Sequence, residues 1–534
     1  MDDKKICRCF DDVELPAASN EGWSIETTSF DEHGYPLTVV YRDADQQGAV
    51  DQKGRMVLTS LYNSRGRQIH EGPDWDVDHQ VVYSDYGSAQ VRWSLDEIGY
   101  WAGETHHDID GALMSTNRGY AIDAWTLGEL HLTIEHRYFD ENSEPAFDIA
   151  SRLHIWRVGI DEYGFQSTDR FFGLNNEPIA AKYGIHSEEY DCNQWGTVDE
   201  IRYKGVDGRL LALPGAHARS VHKYDDHGNR METRRYGTDG ALALDESGVA
   251  LYHRWHDKLG RMVGQTHHGT DEEPILARNL LFAKGEKTFG LHGNIVQIRM
   301  FGVDGSLRKE GCASVDSIYD ERNRPVLRKC WGSDGEQAVW MEGGVPYSTW
   351  PGAAEPSSVG ASQIRRTYDF FGRTLVLENL DSQGELIANA QGVARYENEY
   401  DRRGNRTSVR YFDADGQPVA GSAGYAEKRT EYDALERPTT HRTYGVGGGP
   451  LAPIKELGYD KHGLVVERRF VDLNGQLVGD DVAIIRHQYD QQGRLTETTW
   501  YDGGGQPLAG PEGCTKQSVT YAATQEIDEE SCER

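Results

Sequence analysis

From Tyr400 to Glu431 the chain reads YDRRGNRTSVRYFDADGQPVAGSAGYAEKRTE, and at Tyr432 the pattern starts again. Two turn signals frame a run of alternating residues. The first is Tyr400-Asp401-Arg402-Arg403-Gly404, and the second is Asp413-Ala414-Asp415-Gly416 after Tyr411-Phe412. Asp-Gly pairs between alternating runs mark hairpins, because Gly takes positive φ at no steric cost. Between the turns, Arg406-Thr407-Ser408-Val409-Arg410-Tyr411 supplies β-branched and aromatic residues that suit a strand. One unit is therefore expected to be two short strands joined by two turns.

The opening motif recurs through the chain. It is clear at Asp225, Asp257, Asp320, Asp369, Asp401, Asp433, Asp460 and Asp490, and weaker at Asp191 and Gly290. Degraded forms begin at Asp31, Asn63, Asp96 and Asp161, while the unit near Gly128 has lost its signature. The fourteen intervals from Asp31 to Asp490 cover 459 residues, about 33 per unit, a period typical of stacked arrays. A lone hairpin is marginal in water, so neighbours must pair or stack. The expected fold is all-β, an array of about fifteen hairpin repeats forming an elongated or coiled sheet. Its structural positions are Tyr400, Asp401, Gly404, Tyr432, Asp433, Tyr489, Asp490 and Gly493, with the tyrosines expected to stack in buried columns. The chain divides into a lead-in (1–27), degenerate repeats (28–190), regular repeats (191–521) and an acidic polar tail (522–534). A Pro/Gly/Ser-rich insertion near 341–362 breaks the period. Such insertions often sit on a binding face, which makes Tyr347 and Trp350 partner-binding candidates.

Composition narrows the function. A formal net charge of −31 excludes nucleic acid as the main partner and favours a basic protein. No run of 18 apolar residues exists, so no membrane span is expected. Met1-Asp2-Asp3-Lys4-Lys5 has no apolar stretch behind it, and seven cysteines lack metal-site spacing. Both features lead us to expect a cytoplasmic protein with reduced thiols.

Tyr-Asp-x-x-Gly followed by Asn or Arg, at Tyr224–Arg230, Tyr368–Arg373, Tyr400–Arg406 and Tyr489–Arg494, resembles the YD repeat of the bacterial Rhs family. That resemblance implies hairpin-derived sheets coiled into a hollow shell, in proteins often tied to toxin delivery and secretion. The sequence departs from the family in its length for a closed shell. It also shows no Pro-rich core boundary, so no following toxin domain is expected. The second signature, aromatic-x-Asp-x-Asp-Gly-x-Pro, is more weakly similar to the aromatic-glycine repeats of cell-wall and glucan-binding modules.

Chemical motifs are sparse. Asp74, Asp76 and Asp78 alternate beside His79 and would share one face of a strand, the one weak metal candidate; the alternative is turn capping. His106-His107 and His267-His268 occupy equivalent places, but adjacent strand residues point to opposite faces and chelate poorly. No nucleophile elbow and no catalytic pair stands out, and no cofactor motif is present. Three readings stay open: a non-catalytic scaffold binding a protein partner, as an immunity, adaptor or carrier component of a toxin or secretion system; a carbohydrate-binding repeat protein; and an enzyme with its site in the N-terminal half.

Overall fold

A computed structural model describes residues 4–8, 25–340, 360–479, 482–521 and 527–533, apart from single residues 44, 52 and 279. It is all-β. Antiparallel strands pair in chain order into one long, open sheet, and among the described residues the only helical element is a three-residue 3-10 turn at Lys182–Gly184.

The Asp401 unit shows why these residues make a hairpin. Strand Arg395–Tyr400 pairs with Arg406–Phe412, and the register slips at Glu399/Tyr400. The Asp401 carboxylate accepts the N–H groups of Arg403 (3.0 Å) and Asn405 (2.9 Å), and Gly404 closes the loop at φ 93°. This is a four-residue loop with a bulge at its end, so Asp is needed first and Gly fourth. The second turn repeats the arrangement, with Asp413 accepting from Asp415 (3.0 Å) and Gln417 (2.8 Å) and Gly416 at φ 76°.

Most units have three turns where two were expected; the Asp433 unit has two, its second turn at Gly445 leading directly into strand Pro450–Tyr459. The third, Gly421–Tyr425 in the Asp401 unit, precedes the next strand, Glu427–Tyr432. Its signal is a Gly-x-Ala triplet, as in Gly119-Tyr120-Ala121, Gly248-Val249-Ala250 and Gly392-Val393-Ala394. The alanines are fully buried, and their N–H groups close onto the partner strand, Ala394 to the Phe412 carbonyl at 2.8 Å. A larger side chain has no space there. One weak anchor also moves: Asn193, not Asp191, starts its turn, accepting from Trp195 (3.0 Å) and Thr197 (3.3 Å).

The core is a column running from hairpin to hairpin. It is built from the residue two places before the first strand and the sixth residue of the second strand. These sites hold Tyr120 and Tyr138, Val249 and His267, Phe282 and Met300, and Val393 and Tyr411. The Tyr120 and Tyr138 rings lie 4.8 Å apart. Two of these sites are disulfides, Cys312–Cys330 and Cys514–Cys532, with Cα–Cα separations of 5.1 and 5.3 Å. The expectation of reduced thiols is thus overturned for these four cysteines, while Cys192 is free. The 18-residue spacing of each pair is the spacing of two facing column sites, within the reach of a disulfide. The cysteines therefore give no argument for a reducing compartment.

Tyr400, Tyr432 and Tyr489 are not the buried column. They are half-buried and act as clasps between units. Each hydroxyl donates to a carbonyl of the preceding hairpin: Tyr400 to Thr374 (3.0 Å), Tyr432 to Arg406 (3.0 Å) and Tyr489 to Val465 (2.9 Å). Where Arg follows the turn's positive-φ residue, it completes the joint, as after Asn323. Arg324 bonds its own Asp320 (2.7 Å) and the Asp369 carbonyl of the next unit (2.6 Å), with its guanidinium 5.2 Å from the Tyr368 ring. Residues 522–534, expected as a tail, carry the exposed strand Ile527–Glu533, which pairs with Lys516–Tyr521 in a further hairpin.

The sheet also coils back on itself. Arg402 pairs with Asp78 (2.7 Å), Arg403 donates to the Val81 carbonyl (3.0 Å) and Lys461 pairs with Glu141 (2.7 Å). These residues are 320 to 324 apart in sequence, about ten units of 33 residues. Units therefore contact more than their sequence neighbours.

Candidate functional site

The sheet is least regular near its start. Strand Val57–Tyr62 splits its pairing, with Trp75 opposite Val57 and Gln68–Glu71 opposite Ser60–Tyr62. A cavity of about 190 Å³ opens beside the split, lined by Arg55, Glu71, Asp74, Trp93, Glu104 and His106 among others. Arg55 donates to Asp51 (2.9 Å) and Asp74 (3.2 Å), and Asp74 also accepts the Thr59 N–H at 3.0 Å. Burial pushes the Asp74 carboxyl above its ordinary range, against the pull of the Thr59 N–H and Arg55.

The arrangement closest to a catalytic one lies on the same cavity. Ser88 Oγ is 3.1 Å from His106 Nδ1, and His106 Nε2 is 3.4 Å from Glu104 Oε1. A serine, an imidazole and a carboxylate in sequence are the parts of a nucleophilic relay. Here, however, Ser88 and His106 are fully buried and occupy the two facing column sites, the places held by Tyr120/Tyr138 and Cys312/Cys330 elsewhere. A nucleophilic hydroxyl must reach substrate; this one is packed into the spine of the array.

The metal candidates go to separate partners. Asp74 serves Arg55 and Thr59. Asp76 caps the second turn of its unit, accepting from Asp78 (2.9 Å) and Gln80 (2.8 Å). Asp78 pairs with Arg402, and His79 takes that turn's positive-φ place at 57°. Among the described residues no group of three His, Cys, Asp or Glu could hold a metal ion. The histidine pairs are structural as well. His107 and His268 each bridge a Thr hydroxyl two residues back (2.9 Å in both) and a turn carbonyl, that of Gly111 (3.1 Å) or Glu272 (2.9 Å). Tyr347 and Trp350 lie outside the described residues.

Sequence reasoning missed the place where the coil overlaps itself. Two openings lie along it. A groove of about 760 Å³ is lined by Asp401, Arg403, Thr407, Arg429, Tyr432 and Arg442 among others. A smaller cavity of about 300 Å³ sits between early and late units, with Lys53, Asp85 and Asn117 on one side and Arg403, Leu435 and Glu436 on the other. Glu436 stands where other units have Gly, at φ 61°, and burial raises its carboxyl. Both openings are lined mainly by charged and polar groups that already bond to protein, which suits recognition of another macromolecule better than enclosure of a small apolar ligand.

No protein-family model matches the chain, and no curated protein matches it. Among solved structures, the chain is similar to TcdB2-TccC3 without its hypervariable C-terminal region, at 13% identity and TM-score 0.45, covering 99% of this chain and 24% of that one. Similar values hold for TcdB2-TccC3-Cdc42 (12%, TM-score 0.44, 95% and 24%). They also hold for a Photorhabdus luminescens Tc holotoxin pore (11%, TM-score 0.44, 94% and 24%). The chain spans about a quarter of the length of these structures.

Proposed function

We propose that this chain is a non-catalytic scaffold that binds a protein partner, in the setting of a toxin or secretion system. The observation that carries the reading is how its reactive groups are used. In the row Ser88, His106 and Glu104, the serine and the histidine are a buried column pair, and the turn aspartates are spent as caps. The resemblance of the Tyr-Asp-x-x-Gly motif to the Rhs family supports the setting, as an adaptor, immunity or carrier component. The net charge of −31 favours a basic partner. Affinity purification of the intact chain from its source cells tests this. One protein should co-purify in low salt and be depleted near 1 M salt, where the Debye length is about 3 Å. Recovery of the chain without any macromolecular partner under both conditions would sink the reading.

A further inference from the structure

Strands alternate in direction, so the first turns of all units lie on one edge of the sheet and the second and third turns on the other. Where the coil overlaps itself, the late units set their first turns against the second and third turns of the early ones. The residue two places after the anchor makes this contact each time. Arg403 bonds the Val81 carbonyl and Gln492 that of Arg152 (3.5 Å), while Leu435 packs over Gly87 and His462 over Gly119.

In the first turns from Asp96 to Asp257 no coil covers that position among the described residues, yet it is large and apolar in five of the six, His227 being the exception. Ile98, Leu130, Tyr163, Trp195 and Leu259 are 52, 63, 72, 79 and 77% exposed. Single exposed apolar residues need no explanation, but these recur at one turn position. Successive first turns stand two strands, or about 10 Å, apart, so the six from Asp96 to Asp257 span roughly 50 Å of edge. Charge at the preceding position differs between the two sets. Arg402 and Lys461 pair with Asp78 and Glu141 across the overlap, whereas four of the six uncovered turns from Asp96 to Asp257 carry Glu97, Glu129, Glu162 and Asp226; Gln194 is neutral and Lys258, at the far end, is basic.

We propose that this uncovered rim, from Ile98 to Leu259, is a docking edge for a second protein that presents its own row of β-turns bearing Lys or Arg. The overlap within this chain supplies the geometry, and the acidic residues Glu97, Glu129, Glu162 and Asp226 supply the specificity. A second copy is a poor occupant: its free opposite edge carries Asp207, Asp239, Asp304, Asp334 and Asp415, which would face Glu97, Glu129 and Glu162.

The inference rests on the protein-binding reading above. To test it, a photo-cross-linking phenylalanine analogue replaces Trp195 in the full chain, expressed in its source cells. A control carries the analogue at Leu473, on the opposite edge and 52% exposed. The probe at 195 should capture one protein that the control does not, through a peptide bearing Lys or Arg in a turn of a β-structured region. Glu129→Lys with Glu162→Lys should cut the yield by roughly fivefold or more without changing the melting temperature. Capture of another copy of this chain, equal labelling from Leu473, or a yield indifferent to the charge reversal would overturn the proposal. A partner that co-purifies but cross-links elsewhere sinks the rim and leaves the scaffold reading standing; absence of any partner sinks both.

Discussion

Arg403 donates to the carbonyl of Val81, 322 residues earlier, while its other terminal nitrogen donates to the Ala434 carbonyl of the next unit at 2.9 Å. One side chain thus ties the array to its sequence neighbour and to the coil beneath. Arg403→Ala should cost about 2 kcal/mol, the scale of lost bonds from a charged, largely buried donor. Arg402→Ala should cost under about 1 kcal/mol, because its ion pair with Asp78 is 62 and 68% exposed. Urea unfolding of both variants checks the difference. Hydrogen exchange in Arg403→Ala should accelerate around residues 81–87 as well as 434–437; a response confined to the late units would show that the coil contact contributes nothing.

The tyrosine clasps set a smaller scale than a buried aromatic column would. Tyr489→Phe removes one bond to the Val465 carbonyl and should cost about 1 kcal/mol. Tyr432→Phe should cost less, since its bond to Arg406 is exposed and water replaces it. A loss near 3 kcal/mol from either hydroxyl deletion would contradict the clasp.

Two glycines in the same turn slot should respond differently. Gly404 (φ 93°) and Gly493 (φ 73°) both pay for a β-branched residue at positive φ, about 1–2 kcal/mol for Val. A Cβ at 404 meets only Arg373 at 3.6 Å, but at 493 it would stand 2.9 Å from Ile149 Cβ in the earlier coil. Gly493→Val should therefore lose about 1–3 kcal/mol more. Equal melting temperatures would place Ile149 elsewhere.

Three imidazoles, one buried and two partly buried, make stability depend on pH. Burial, followed by Arg235 for His217, Arg230 for His222 and Lys428 for His441, holds each at about 4. In the unfolded chain they titrate near 6.5, so between those values the unfolded state binds more protons. Their contribution is complete above about pH 6.5 and falls away as the pH drops toward 4. Denaturation midpoints should decline across that window, and His222→Gln should flatten the decline. A profile level from pH 7 to 4.5 would refute the assignment.

The disulfides are open to direct measurement. Without reductant, alkylation should label Cys192 and spare Cys312, Cys330, Cys514 and Cys532. Replacing Cys312 and Cys330 together by Val should lower stability by about 3 kcal/mol, the scale for a loop of this length. Labelling of Cys330 in the native protein would disprove the pairing.

The local grammar was legible in the chain because each rule is short-range. Asp401 and Gly404 state their turn within four residues, and Thr407, Val409 and Tyr411 state the strand that follows. What misled was chemistry that looks alike in sequence: Tyr400 reads as a core aromatic but spends its hydroxyl on a neighbour, and Cys312 and Cys330 read as stray thiols until 18 residues prove to separate two facing sites. The Gly-x-Ala triplets carried the third turn in plain view, yet small residues leave no mark in a hydrophobic pattern. The overlap of the coil could not be read at all. Whether Arg403 meets Val81, or Gly493 meets Ile149, depends on twist summed over some ten units, and no window of sequence contains both partners. Residues within one unit sufficed to set the hairpin and its period, because each turn's hydrogen bonds close over a few residues, while the strands complete theirs against neighbouring units. Which edge is covered and which, from Ile98 to Leu259, is left open was settled in the tertiary fold alone, because that follows from the accumulated coil of the whole sheet.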